Sequence, residues 1–115
     1  METEVALIKE SMQKSGEMKE ISAGGLVFFE GNIGGTNVVA VKSGVGKVNA
    51  ALCAQNLIIR FGVTHIINTG IAGSMGGNLK IFDMVVSSDA VYHDMEAVAF
   101  GYKPTEIPQM KCSAF

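Results

Sequence analysis

The sequence predicts an α/β fold built on a layered sheet, and three observations point to it. Two segments of helical periodicity, residues 2–12 and Lys47–Phe61, alternate with short runs rich in β-branched and aromatic residues. Glycine clusters at 24–25, 34–35, 44–46 and 70–77 punctuate those runs as turns do. The 115 residues are 48% hydrophobic and 17% charged, a composition that suits one small globular domain.

The elements follow in chain order. Residues 2–12 place Val5, Ile8 and Met12 at i, i+3 and i+7, with Leu7 beside them, so an amphipathic helix is expected with Thr3 as its cap. Residues 14–22 are polar and read as a loop. The run 25–33 contains Leu-Val-Phe-Phe and reads as a strand, and residues 38–42 read as a second. Gly34-Gly35-Thr36-Asn37 between them makes a hairpin turn. Lys47–Phe61 is apolar on more than one stripe, as a helix in a sandwiched layer or at a subunit interface would be, and Gly62 stops it. Residues 65–68, His-Ile-Ile-Asn, read as a buried strand, and residues 83–88 as another. Beyond Asp89 the pattern becomes an irregular loop. A helix opening the chain with no strand before it, and an irregular stretch closing it, give a layered unit expected to be incomplete at both ends.

Charge and cysteine usage narrow the function. The formal net charge of −2 argues against a nucleic-acid partner, which calls for a basic face. Cys53 and Cys112 form no C-x-x-C pair, so a reduced, cytoplasmic protein is expected. Neither a signal-peptide pattern nor an apolar run of membrane-spanning length is seen. His65 and His93 have no metal-ligand spacing around them, so no metal is expected. His93-Asp94 reads as a hydrogen-bonded pair fixing a loop.

Several segments carry possible chemistry. Ser43-Gly44-Val45-Gly46-Lys47 joins a strand to a helix, where glycine amides can bind anions. It is not a phosphate loop: the glycine required five positions before Gly46 is Val41, and Val48 stands where Ser or Thr belongs. It is either a tight turn or a loop lining a small-molecule pocket. Asn68-Thr69-Gly70-Ile71-Ala72-Gly73 runs from the 65–68 strand into a glycine loop, where α/β sheets bind ligands. Glu4 reads either as a solvated helix-terminal glutamate or as a general base on water. Phe100, Tyr102 and Pro108 form a cluster that either pins a loop or walls an apolar ligand group.

Together these segments resemble the 5′-methylthioadenosine/S-adenosylhomocysteine nucleosidases of the nucleoside phosphorylase-like superfamily. The matching pieces are Met1-Glu2-Thr3-Glu4-Val5, residues 42–48, Ile67-Asn68-Thr69-Gly70-Ile71-Ala72-Gly73, residues 83–87, and Tyr92-His93-Asp94 followed by Ala99-Phe100-Gly101-Tyr102. They stand in the family's order and near its spacing, over about the N-terminal half of the family domain. The resemblance implies a three-layer α/β/α fold with a mixed central sheet, whose first strand precedes Met1 and whose second half follows Phe115. It implies hydrolysis of the N-glycosidic bond between adenine and a 5′-thioribose, with no cofactor, in a homodimer. Glu4 takes the position of the water-activating glutamate. Val45 falls on the sugar side of the pocket, and Ile71, Ala72 and Gly73 on the loop lining the substrate. Phe100, Tyr102 and Pro108 fall where the 5′-alkylthio group is walled, partly by the partner subunit. Ile71 departs from the many relatives with a small polar residue there and removes a hydroxyl donor. The purine-protonating acid matches no residue of this chain, so the chain alone is expected to be inactive. Two other readings stay open: a purine nucleoside phosphorylase, although Arg60 is the sole arginine for a phosphate site, and a non-catalytic binding domain.

Overall fold

The computed structural model describes residues 2–110 and 112–115, with side chains described from residue 4 onward. The chain divides into two compact units, Met1–Gly73 and Ser74–Phe115. The first contains α1 (Glu2–Ser15), β1 (Lys19–Ala23), β2 (Leu26–Ile33), β3 (Thr36–Val41) and α2 (Lys47–Phe61).

The three strands form one antiparallel sheet in the order β1-β2-β3. Ala23 pairs with Leu26 and Ile33 with Thr36, so each hairpin turns on two glycines. All four glycines have positive φ, between 58° and 87°. A two-residue turn with both central φ values positive matches the twist of its strands, and glycine reaches it without strain. The α2 helix begins and ends where its sequence predicts. Gly62 follows in the left-handed conformation, its N–H donating to the Ile58 carbonyl at 3.1 Å.

Side chains alternate across a strand, so the sheet has two distinct faces. Phe28, with its cross-strand neighbours Ile21 and Val41, packs with Cys53, Leu57 and Phe61 of α2. The Phe28 and Phe61 ring centroids are 4.9 Å apart. The opposite face carries Phe29, Gly31 and Ala40 and receives α1. Met12 is fully buried there, and a Cβ built on Gly31 would stand only 3.1 Å from its side chain. A side chain at 31 would therefore press on Met12, which would have to give by a few tenths of an ångström. Lys9 adds a cation–π contact, its Nζ 3.8 Å from the centre of the Phe29 ring. One helix on each face gives the α/β/α layering expected from the sequence.

Several elements differ from expectation. The segment expected to be a loop over residues 14–22 begins in α1, which runs to Ser15, and ends in β1. Its Lys-Glu-Ile-Ser-Ala sequence holds one large apolar residue, Ile21, and forms a strand because β2 supplies its hydrogen bonds. Residues 65–68 and 83–88 are not strands. Ile67 is 84% exposed, Met84 93% and Val86 89%. A β-rich run becomes a strand only when a neighbour pairs with its backbone, and among the described residues the three strands pair only with one another. The capping role expected of Thr3 falls outside the described side chains.

The second unit is largely irregular. Ala90 and Phe115 exchange two backbone hydrogen bonds, and Tyr92 meets the Phe115 ring edge-on at 6.4 Å. A short 3-10 turn, Val98–Phe100, ends at Gly101, and Ile107 bridges Cys112. The expected His93-Asp94 hydrogen bond does not form: Nδ1 and Oδ1 stand 4.0 Å apart with the imidazole exposed, beyond hydrogen-bond reach.

Candidate active site

Within the first unit, the fold brings together two segments that lie far apart in the sequence. Glu4 sits in the first turn of α1, half-buried. Its Oε1 lies 3.9 Å from the position a Cβ on Gly70 would take. The carboxylate thus faces the start of the glycine loop, at a residue whose missing side chain leaves space beside it. Ile71, Ala72 and Gly73 continue from that point and are all exposed. The result is a carboxylate beside an open, side-chain-poor stretch of backbone. Chemically, such an arrangement can hold a water molecule against a ligand and accept its proton.

Val45 lies on the loop between β3 and α2 and is 92% exposed, so its isopropyl group presents an apolar contact to whatever occupies that side. Phe100, Tyr102 and Pro108 belong to the second unit. Phe100 closes the 3-10 turn with its ring exposed, whereas Tyr102 and Pro108 are half-buried. Tyr102 is tied to that turn by its N–H, which donates to the Ala97 carbonyl at 3.4 Å.

Arg60 stands apart from this site. It lies in the last turn of α2, about 20 Å along the helix axis from the Val45 loop at 1.5 Å per residue. With Gln55, Asn56 and Ile59 it lines a recess formed by that single helix. No group of three or more metal-ligating side chains occurs among the described residues. No helix of the described residues is long and apolar enough to cross a membrane.

Sequence reasoning singled out the glycine loop, Gly70 included, but missed its contact with Glu4, which spans more than sixty positions and which only the fold reveals.

The layered α/β architecture sets a glutamate at one helix terminus against a glycine loop. The chain belongs to the phosphorylase superfamily, whose family model matches residues 1–114. Its similarity is more particular than that. It is 46% identical over 110 residues to the 5′-methylthioadenosine/S-adenosylhomocysteine nucleosidase of Staphylococcus haemolyticus, covering 96% of this chain and 47% of that enzyme. A crystal structure of the corresponding nucleosidase from Colwellia psychrerythraea in complex with adenine superposes with a TM-score of 0.92 at 43% identity, covering 100% of this chain and 46% of that one. The Neisseria meningitidis enzyme in complex with methylthio-immucillin-A gives 0.91 at 37% identity, covering 100% and 48%. The resemblance read from the motifs is borne out. This chain spans about half the length of the relatives it matches.

Proposed function

We propose that this chain is the water-side half of a nucleosidase that cleaves the N-glycosidic bond of 5′-methylthioadenosine and S-adenosylhomocysteine. The observation that carries the reading is the placement of Glu4 against Gly70. Relatives crystallised with adenine and with methylthio-immucillin-A support the substrate class. In the reaction, the bond from the ribose C1′ to the purine nitrogen breaks and its electron pair leaves with adenine. Positive charge builds on the sugar as water adds to C1′, and Glu4 takes the proton that water loses. Gly70 gives the water room, and Ile71, Ala72 and Gly73 line the nucleoside beside it. Val45 packs on the ribose side, and Phe100, Tyr102 and Pro108 wall the 5′-alkylthio group partly from the partner subunit.

The departing adenine needs a proton from a second acid. We place that acid in the part of the relatives that this chain does not match, so residues 1–115 are a partial domain of the working enzyme. The working form is a cytoplasmic homodimer that needs neither metal nor cofactor.

The test uses two proteins. One is the 115-residue chain itself. The other is a fusion in which this chain replaces the matching segment of the Staphylococcus haemolyticus enzyme. The chain alone should release no adenine above its Glu4→Gln control, and the fusion should release it from both nucleosides. Turnover by the isolated chain above that control would overturn the division of catalytic groups. A folded fusion with no activity would overturn the nucleosidase reading.

A further inference from the structure

The loop that presents Val45 has one internal side-chain contact, Ser43 Oγ donating to the Gly44 carbonyl at 3.3 Å. It joins β3 to α2 through Gly44 and Gly46, both at positive φ, 83° and 94°. Gly46 is the N-cap of α2 and, having no side chain, supplies no capping hydrogen bond. The next residues could leave the loop free to change shape, since glycine has the broadest choice of backbone conformation. Asn49 opposes this. Its Nδ2 donates to the Val45 carbonyl at 2.6 Å. The acceptor is a carbonyl oxygen, so only the amide end of the side chain can face it. The same side chain lies 3.5 Å from the point a Cβ on Gly44 would occupy, so it also walls the loop from the side.

This contact inverts the usual helix start. A side chain at the third helical position commonly reaches back to accept from the N-cap N–H. Asn49 occupies that third position but donates, and does so to the residue before the N-cap. It therefore fixes the loop's backbone rather than the helix's unpaired donors. Asparagine is a poor helix former, which makes its place in the first turn of α2 costly unless the side chain has such a partner.

We propose that Asn49 is a positioning residue that locks the Val45 loop in the shape that meets the nucleoside. The assignment of the nucleoside rests on the function proposed above, whereas the locking of the loop rests on geometry alone. Asn49 does not touch the reacting atoms and acts through Val45.

Two variants separate this role from simple packing. Asn49→Ala removes the donor and the bulk. Asn49→Asp keeps size and shape but turns an acceptor toward the Val45 carbonyl, so it should be at least as damaging. In the isolated chain, backbone amide order at Val45, measured by nuclear magnetic relaxation, should fall in both variants while Val39 in β3 stays rigid. Unchanged order at Val45 in Asn49→Asp would overturn the proposal, and this readout needs no turnover. In the fusion, Asn49→Asp should raise the KM for 5′-methylthioadenosine about fivefold, the equivalent of one hydrogen bond, with kcat within about twofold. A wild-type KM, or a loss confined to kcat, overturns it as well. Val45→Ala tells the two readings apart. If that change leaves KM alone while Asn49→Asp still loosens residue 45, the ligand contact of Val45 fails and the loop lock stands.

Discussion

The carboxylate of Glu4 and the bare Cα of Gly70 face each other at a distance where a methyl group would make ordinary van der Waals contact: 3.9 Å from Oε1 to a Cβ position. In the proposed reaction, the water that donates to Glu4 needs part of that same space. Gly70 is not among the glycines with positive φ, so alanine suits its backbone. Gly70→Ala should therefore fold normally and displace the water. In the fusion, kcat should fall at least about tenfold, since misplacing a reacting group by about an ångström costs up to 100-fold. The melting temperature should hold. Full activity in Gly70→Ala would show that the space beside Glu4 is not where water reacts.

Glu4→Gln keeps the shape of the side chain but cannot accept water's proton. Loss of a general base costs about 100- to 10,000-fold in rate. The expected outcome in the fusion is hydrolysis reduced by at least about 100-fold, with adenine still binding as measured by calorimetry. Because the substitution leaves the facing glycine loop unchanged, loss of adenine binding along with activity would instead mean that Glu4 holds the site's shape.

Water and phosphate compete as readings of the nucleophile, and the place of Arg60 favours water. A phosphate site needs cationic or amide donors converging on the sugar. Arg60 is the chain's sole arginine, and it stands at the far end of α2 from the Val45 loop. The fusion should thus release 5-methylthioribose at the same rate with and without added phosphate. Formation of the 1-phosphate sugar would reassign it to phosphorolysis.

The sequence disclosed the parts of the fold that local chemistry determines. The bounds of α2 were legible because its apolar stripes end at a glycine, and the hairpin because two glycines interrupt a strand-forming run. β1 was hidden: Lys19, Glu20 and Ser22 read as loop, and the strand exists because β2 lies next to it. The alternation of Ile21 and Ala23 before Gly24-Gly25 was the available signal. Residues 65–68 and 83–88 failed in the opposite sense, since strand-forming side chains cannot supply a pairing partner. For the site, Glu4 and the 70–73 loop were recognisable as motifs, but their meeting is a tertiary fact. Asn49 carries no signal in composition or periodicity, because its partner is a backbone carbonyl four positions earlier.

Cys53 provides a check on the core that does not depend on catalysis. Its side chain is packed with Phe28 and Leu57 between α2 and the sheet, and burial pushes its thiol pKa above the ordinary value. The fold thus favours the neutral thiol, while the unfolded chain ionises at the ordinary pKa. Below that pKa both states hold the proton, and stability is at its full value. As pH rises through the ordinary thiol pKa toward the raised one, the unfolded state loses its proton first, and the stability is lost across that window. Cys53→Ala should flatten this alkaline loss, measured as urea midpoint against pH, although it trims the core at every pH. Iodoacetamide at mildly alkaline pH should alkylate the half-buried Cys112 before Cys53, because the thiolate is the reactive form and access is needed to reach it. Mass spectrometry of the partly modified chain reads the order directly, and faster labelling at Cys53 would show that α2 does not stay seated on the sheet.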